Sequence, residues 1–510
     1  MTRAPERLAR VTIPTAGESR LRSLLSEARA KAIADQRPVL VSSVESASTL
    51  DSLSILEKLA VSSMSDPTLA SFLDEGSMYW ERSTDGFTLA GLGAVSTIVS
   101  SGSERFDAAH TALSALLRDA VVGDQSRGAI GVGPILMGGF SFDPEGSRSE
   151  PWTTFPAAHL IVPRLLLTSA NGSSWVTLSA LVGPDGETDV DIETLGRLRD
   201  AATAVLPVDV HENSAESFSS NLEVHDQPAA GEWRERVGAA IAMIQSGALE
   251  KVVLARAVHA ESPDDIDTYE TLRHLRNTHG NAFVFGYWRG ANAFVGASPE
   301  RLIRLDGRSV KATSLAGTAK RGETAEEDAA IAADLLASAK DRAEHAVVLR
   351  ALKRVLSEYC DDVTASPEPS TLTMPNVHHL QTEVSAQLRP GSSLLHLIGA
   401  LHPTPAVGGS PRVEALRFIR EVEQLDRGWY AAPIGWIGRD GGEFAVALRS
   451  AILYGSEAML YAGCGIVRSS DPELELAESQ LKLQPMKSAI AAALATSRAR
   501  PTTVVAADHR

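Results

Sequence analysis

The sequence predicts an α+β fold of packed antiparallel β-sheets flanked by helices. Strand-like stretches come in runs with helices between the runs, not in βαβ alternation. Asp85-Gly86 and Asn171-Gly172 each stand between apolar runs, the turn chemistry of antiparallel hairpins. There is no phosphate-cradling P-loop, and Gly91-Leu92-Gly93 lacks the third glycine of a dinucleotide fingerprint.

Taken in order, residues 1–36 read as an amino-terminal arm that becomes helical from about Leu21 to Ala34. A β-rich half spans 37–230. It opens with a strand at Val39–Ser43 and a hairpin formed by Met78–Arg82 and Phe87–Val95. An amphipathic helix from about Glu104 to Val121 follows, then a glycine-punctuated strand pair over Gly128–Pro144. The Asn171-Gly172 hairpin occupies Arg164–Gly183, and Asp191–Val205 reads as a helix. Polar composition from Pro207 to Ala230 reads as a linker.

A second region, 231–491, begins with a helix at Trp233–Ile244 and a strand over Glu250–His259. Two strands lead into Ser298-Pro299-Glu300, the strand Arg301–Leu305 and a loop over Leu315–Gly322. One long helix covers about Glu326–Glu358, and strands recur near Gly435–Ile437, Phe444–Leu453 and Met459–Ala462. Asp471-Pro472 starts the last helix with an N-cap oxygen and a proline at the first helical position. Residues 492–510 read as a flexible tail.

Composition narrows the function. The 510 residues carry a formal charge of −16, which argues against nucleic-acid and anionic-membrane surfaces. The same charge makes an anionic substrate awkward unless local cations or a divalent metal offset it. No stretch approaches a membrane span, and the two cysteines have no disulfide or metal-ligand spacing. A cytoplasmic protein is the expectation. With no heptad or self-complementary patch legible, so is a monomer, an oligomer staying open.

Several residues could carry chemistry. In the last helix Glu475 and Glu478 share a face at i, i+3 and Lys482 follows at i, i+4, although an acidic helix start is also simply favoured by the dipole. The glycines of Gly463-Cys464-Gly465 let backbone approach a ligand closely. Lys251 shares a strand face with Val253, Ala255 and Ala257, where desolvation would favour the neutral amine. At the ordinary lysine value of ~10.4 only about 0.04% is neutral at pH 7, so a base role needs that help. Glu300 is either a surface turn residue near Arg301 or an acid held protonated by apolar walls. Glu344 either pairs with Arg350 or Lys340, or faces Glu475 and Glu478 as a third carboxylate for Mg²⁺.

The motifs KVVLAR, GASPERL, SLAGTAKRG, DRAEHAVV, HHL, HPTPAVGG, ALRSA, AGCGIV and ELAESQLKL occur in that order between about Trp233 and Ile490, with a weaker echo in GGFSFDP. This series resembles the chorismate-utilising enzyme family, which includes isochorismate, salicylate, anthranilate and aminodeoxychorismate synthases. The resemblance implies the fold of anthranilate synthase component I, with chorismate and Mg²⁺ in a central pocket. It implies Lys251 as the water-activating base and Glu300 as general acid. Glu344 and Glu478 would be metal ligands, with Glu475 a ligand or water-holder beside them. Arg449, Gly463 and Lys482 would grip substrate carboxylates, Gly317 and Thr318 would line the site, and His379 would flank it. Cys464 stands where relatives often carry alanine.

Within the family, Lys251 stands where anthranilate-type members carry glutamine, and Ala316 where aminodeoxychorismate synthases often carry a nucleophilic lysine. The resemblance therefore implies isomerisation of chorismate to isochorismate by water attack at ring carbon 2 and loss of the carbon 4 hydroxyl. HPTPAVGG is more similar to isochorismate synthases than to salicylate synthases. The alternatives are a salicylate synthase, which goes on to eliminate pyruvate, and a non-catalytic chorismate-binding protein. A role for the product in menaquinone or siderophore biosynthesis is left open.

Overall fold

The strand Ala158–Ala170 is the branch point of the architecture. The computed structural model describes residues 16–126, 128–146, 149–204 and 222–499. From that strand one antiparallel run passes through Phe87–Ser100, Ser77–Arg82, Phe283–Arg289, Asn292–Ser298, Ser450–Tyr454 and Glu457–Ile466 to Lys251–Glu261. A second run passes through Leu136–Phe140, Pro433–Ile437, Gly441–Val446, Arg301–Asp306 and Ser309–Lys320 to Val377–Leu388. A parallel pairing of Val39–Ala47 with Val121–Gly123 adds to the first half.

The pleat decides what each face buries. Trp80, Phe283, Phe285 and Phe294 from the first run join Val310, Ile434 and Phe444 from the second in one large core cluster. Their alternates Tyr79, Val284 and Val295 turn the other way. These pack with Leu272 and Leu275 of helix Thr268–Thr278 and with Leu483 and Ile490 of helix Pro472–Ala499. The first run is thus apolar on both faces, whereas the second run's strand Val377–Leu388 becomes half-exposed toward its end. The architecture is α+β, as its strand grouping predicts.

Local chemistry explains the elements that match expectation. Asn171 and Gly172 both take positive φ, 52° and 77°, as a two-residue type I′ turn requires. Asp191 caps helix Ile192–Thr203 through the Thr194 amide, and Asp471 accepts from the Glu473 and Leu474 amides at 2.9 and 3.1 Å.

Other expectations need correction. The amino-terminal arm is a helix from Ala16 to Asp35, with Ala28 and Ala32 packed on Val39, Val41 and Val121. Only Leu136–Phe140 forms a strand within 128–144, because Gly131 and Gly133 hold left-handed φ and Pro134 cannot donate. The linker expected over 207–230 lies outside the described residues up to 221, but Glu223–Gln227 forms an edge strand against Lys251–Glu261. The expected loop at Leu315–Gly322 is for the most part strand, since Ser309–Lys320 pairs with Val377–Leu388 across a bulge. The single helix expected over 326–358 is two, Ala325–Ala337 and Ala339–Tyr359, with Ser338 capping the second through the Asp341 amide. The expected strand Phe444–Leu453 is divided at Arg449, whose φ is 48°. Of the expected tail, the stretch from 492 to Ala499 continues the last helix.

Candidate active site

Strand and helix ends from both runs converge on one cavity. It is lined by Lys251, Glu300, Gly317, Thr318, Glu344, His379, Arg449, Gly463, Glu475, Glu478 and Lys482, all the residues singled out from the sequence. Lys340, Asp341, Arg427, Tyr430 and Tyr461 line it too and were not foreseen, because nothing in their spacing marks them. Every lining residue lies at position 251 or later.

Lys251 begins a strand buried on both faces and is itself only 2% exposed. Its Nζ donates to Glu344 Oε1 at 2.7 Å, so Glu344 pairs with Lys251 and not with Arg350 or Lys340. The space for this pair comes from Gly465, where a Cβ would stand 2.7 Å from Lys251 Cε and 3.0 Å from Glu344 Oε1. Burial works to raise the Glu344 carboxyl, but the Lys251 ammonium beside it holds it below its ordinary value. Arg256, on the opposite strand face, is fully buried and donates to Ser479 Oγ at 3.2 Å.

Glu300 is not a surface turn residue. It is 4% exposed, and Arg301 beside it pairs with Glu443 at 2.6 Å. The turn is pinned by Ser298 Oγ, which donates to Val446 O at 2.5 Å, and by the Val446 amide donating to Glu300 O at 3.1 Å. Burial pushes the Glu300 carboxyl up to about 8, against the pull of Lys251 and Lys482. At neutral pH it holds its proton and can donate it.

The second run contributes a neutral face. Gly317 sits in the strand bulge with φ 85°, a conformation that favours glycine, and the one extra residue re-aims Thr318. Thr318 Oγ1 and His379 Nδ1 are 3.0 Å apart, and Arg449 donates to His379 Nε2 at 2.9 Å. Arg449 therefore fixes the tautomer, leaving the Nδ1 proton for Thr318. Burial, then Arg449, drives the His379 pKa well below its ordinary value. Burial lowers Arg449 itself to about 10, and its second terminal nitrogen is buried without a partner among the described residues. A buried guanidinium with one unpaired terminal nitrogen suits a carboxylate.

The last helix supplies the acidic wall. Lys482 Nζ bonds Glu478 Oε1 at 2.7 Å and Gly463 O at 3.0 Å. Burial opposes the Lys482 charge, but Glu478 prevails and raises its pKa. Burial and then Glu478 push Glu475 up to about 7. Oxygens of Glu475 and Glu478 lie within 4.8 Å of each other and of Cys464 Sγ. Burial keeps that thiol protonated, and it donates to Glu475 O at 3.2 Å. Two crowded, hard carboxylates, with Glu344 lining the same cavity, fit a small divalent cation such as Mg²⁺, which prefers oxygen donors.

Residues 26–491 match the family model described as chorismate binding enzyme. The chain belongs to this family. Among the relatives of this chorismate-binding enzyme is the isochorismate synthase MenF of Bacillus subtilis (strain 168), 39% identical over 70% of this chain and 75% of the relative. The salicylate biosynthesis isochorismate synthase of Pseudomonas aeruginosa is 35% identical over 92% of this chain and 94% of its own. The solved structure of MenF, the menaquinone-specific isochorismate synthase from Escherichia coli, is 24% identical and shares the fold, with a TM-score of 0.70 over 92% of this chain and all of that one.

Proposed function

We propose that this chorismate-binding enzyme is an isochorismate synthase, an isomerase that moves a hydroxyl from ring carbon 4 to carbon 2 of chorismate. The observation that carries the reading is a lysine amine and a buried, protonated glutamate on one cavity. In the forward step Lys251 takes a proton from water as its oxygen attacks carbon 2. The ring double bonds shift, and the carbon 4 hydroxyl leaves with the proton of Glu300. For this Lys251 must enter the step neutral, so its partnership with Glu344 has to loosen as substrate binds. Ala316 offers no amine to compete with water as nucleophile.

The unpaired nitrogen of Arg449 and the ammonium of Lys482 are suited to the two substrate carboxylates, with Gly463 admitting the ligand close to backbone. Gly317, Thr318 and His379 would form the neutral wall that orients the ring. Glu344, Glu475 and Glu478 are the residues that would hold Mg²⁺. When bound, the ion supplies a fixed positive charge for the ring carboxylate. The reading includes a cytoplasmic setting, supported by buried, free Cys360 and Cys464. Among the described residues no helix is long and apolar enough to cross a membrane.

The test is incubation with chorismate and Mg²⁺ followed by chromatography. Isochorismate as the sole product is expected. Salicylate with pyruvate would favour the eliminating relative, and chorismate binding without turnover would replace both with a binding role.

A further inference from the structure

Glu300 faces two cavities. Besides the one it shares with Lys251, it lines a second cavity of about 710 Å³ that Lys251 does not reach. The partition is Glu300 together with the loop after His402: Ala406 and Val407 face the first cavity, Thr404 and Pro405 the second. Helix Ala339–Tyr359 walls both, presenting Glu344 to one and Ala351, nearly two turns further on, to the other. The second cavity is far larger than one water needs. Thr404 Oγ1, in a residue of its wall, is buried without a hydrogen-bond partner among the described residues.

The chemistry of the isochorismate reading, on which this inference rests, asks for such a space. In each turnover a C–O bond forms at carbon 2 from water, and a C–O bond breaks at carbon 4. The attacking water's proton goes to Lys251; the departing hydroxyl takes the proton of Glu300 and becomes water. One water is consumed beside the base and another appears beside the acid, with the ring between them. Glu300 must then regain a proton from solvent while product fills the first cavity. We propose that the second cavity is the outlet for the water formed at carbon 4 and the path by which solvent returns a proton to Glu300, so that water enters on one side of the ring and leaves on the other.

Filling the second cavity tests this. The Ala351→Phe variant is compared with wild type on chorismate carrying ¹⁸O in its carbon 4 hydroxyl, in ordinary water. Wild type is expected to give isochorismate free of label. In the variant kcat should fall about tenfold with KM for chorismate within twofold, the solvent deuterium isotope effect on kcat should rise, and chorismate re-formed by reversal should keep its carbon 4 label as trapped water adds back there. An Ala351→Phe protein that melts like wild type yet keeps the wild-type kcat and loses the carbon 4 label from the chorismate pool as fast as wild type overturns the proposal. Should that variant not fold, Thr404→Val decides: a roughly threefold lower kcat with a raised isotope effect supports the outlet, and wild-type values for both overturn it. Failure of the wild-type protein to make any isochorismate would instead remove the reading beneath, a separate and visible result.

Discussion

The Glu300 carboxyl is buried by walls that arrive from distant parts of the chain, and its pKa near 8 follows from that burial. Its activity as an acid should be complete well below that value and fall as pH rises through about 8, which a kcat profile between about pH 6 and 9.5 would reveal. The same shift has a stability sign. A folded-state pKa raised above the unfolded one binds the proton more tightly in the native protein, so stability is fully present below about 4.5 and declines as pH rises toward about 8. Glu300→Gln should abolish that decline in denaturant titrations while lowering kcat on the order of 10²–10⁴-fold. For Lys251→Ala a comparable loss of turnover is expected with chorismate affinity largely kept, measured by calorimetry; near-normal turnover would remove the base. Neither residue could be assigned from its neighbours alone. Ser298-Pro299 makes Glu300 look like a turn glutamate, and only the order of family motifs marked it, because burial depends on Val446 and its strand, which are far away in sequence.

Secondary-structure elements aim these groups, and the aim was legible where one element sufficed. Asp471-Pro472 starts the last helix in sequence and in space, so Glu475, Glu478 and Lys482 project together from one face. Glu478→Ala is expected to raise the Mg²⁺ concentration for half-maximal turnover at least tenfold; an unchanged titration would place the metal elsewhere. What no single element could reveal was pairing. The bulge at Gly317 arises from the register with Val377–Leu388, and the Lys251–Glu344 contact joins residues 93 apart. Gly465 is tied to that contact by its missing side chain. Gly465→Ala would press a methyl group on Lys251 Cε, and a tenfold or greater fall in kcat with an unchanged melting temperature is expected.

At the scale of the molecule, the −16 charge does not reach the cavity undiluted. Lys251, Lys340, Arg427, Arg449 and Lys482 face Glu300, Asp341, Glu344, Glu475 and Glu478, and Glu300 is neutral at pH 7. The cavity is braced by a buried ion pair. Arg427 grips Glu423 at 2.5 Å and donates to Val407 O and Val253 O, while Glu423 accepts the Ala255 amide at 2.7 Å. Glu423→Ala would leave a buried guanidinium uncompensated, so a loss of about 3–5 kcal/mol is expected in urea unfolding. This brace was invisible in sequence, since neither residue belongs to a family motif identified there. The α+β class was visible because strand grouping and hairpin turns are local signals.

All the cavity's side chains come from position 251 onward, yet the sheet runs that carry them both start at Ala158–Ala170. Among the described residues the earlier portion lends this cavity no side chain and supports it through the sheet. Swapping it for the corresponding portion of a relative should change how firmly the enzyme holds together, and leave untouched which compound it releases.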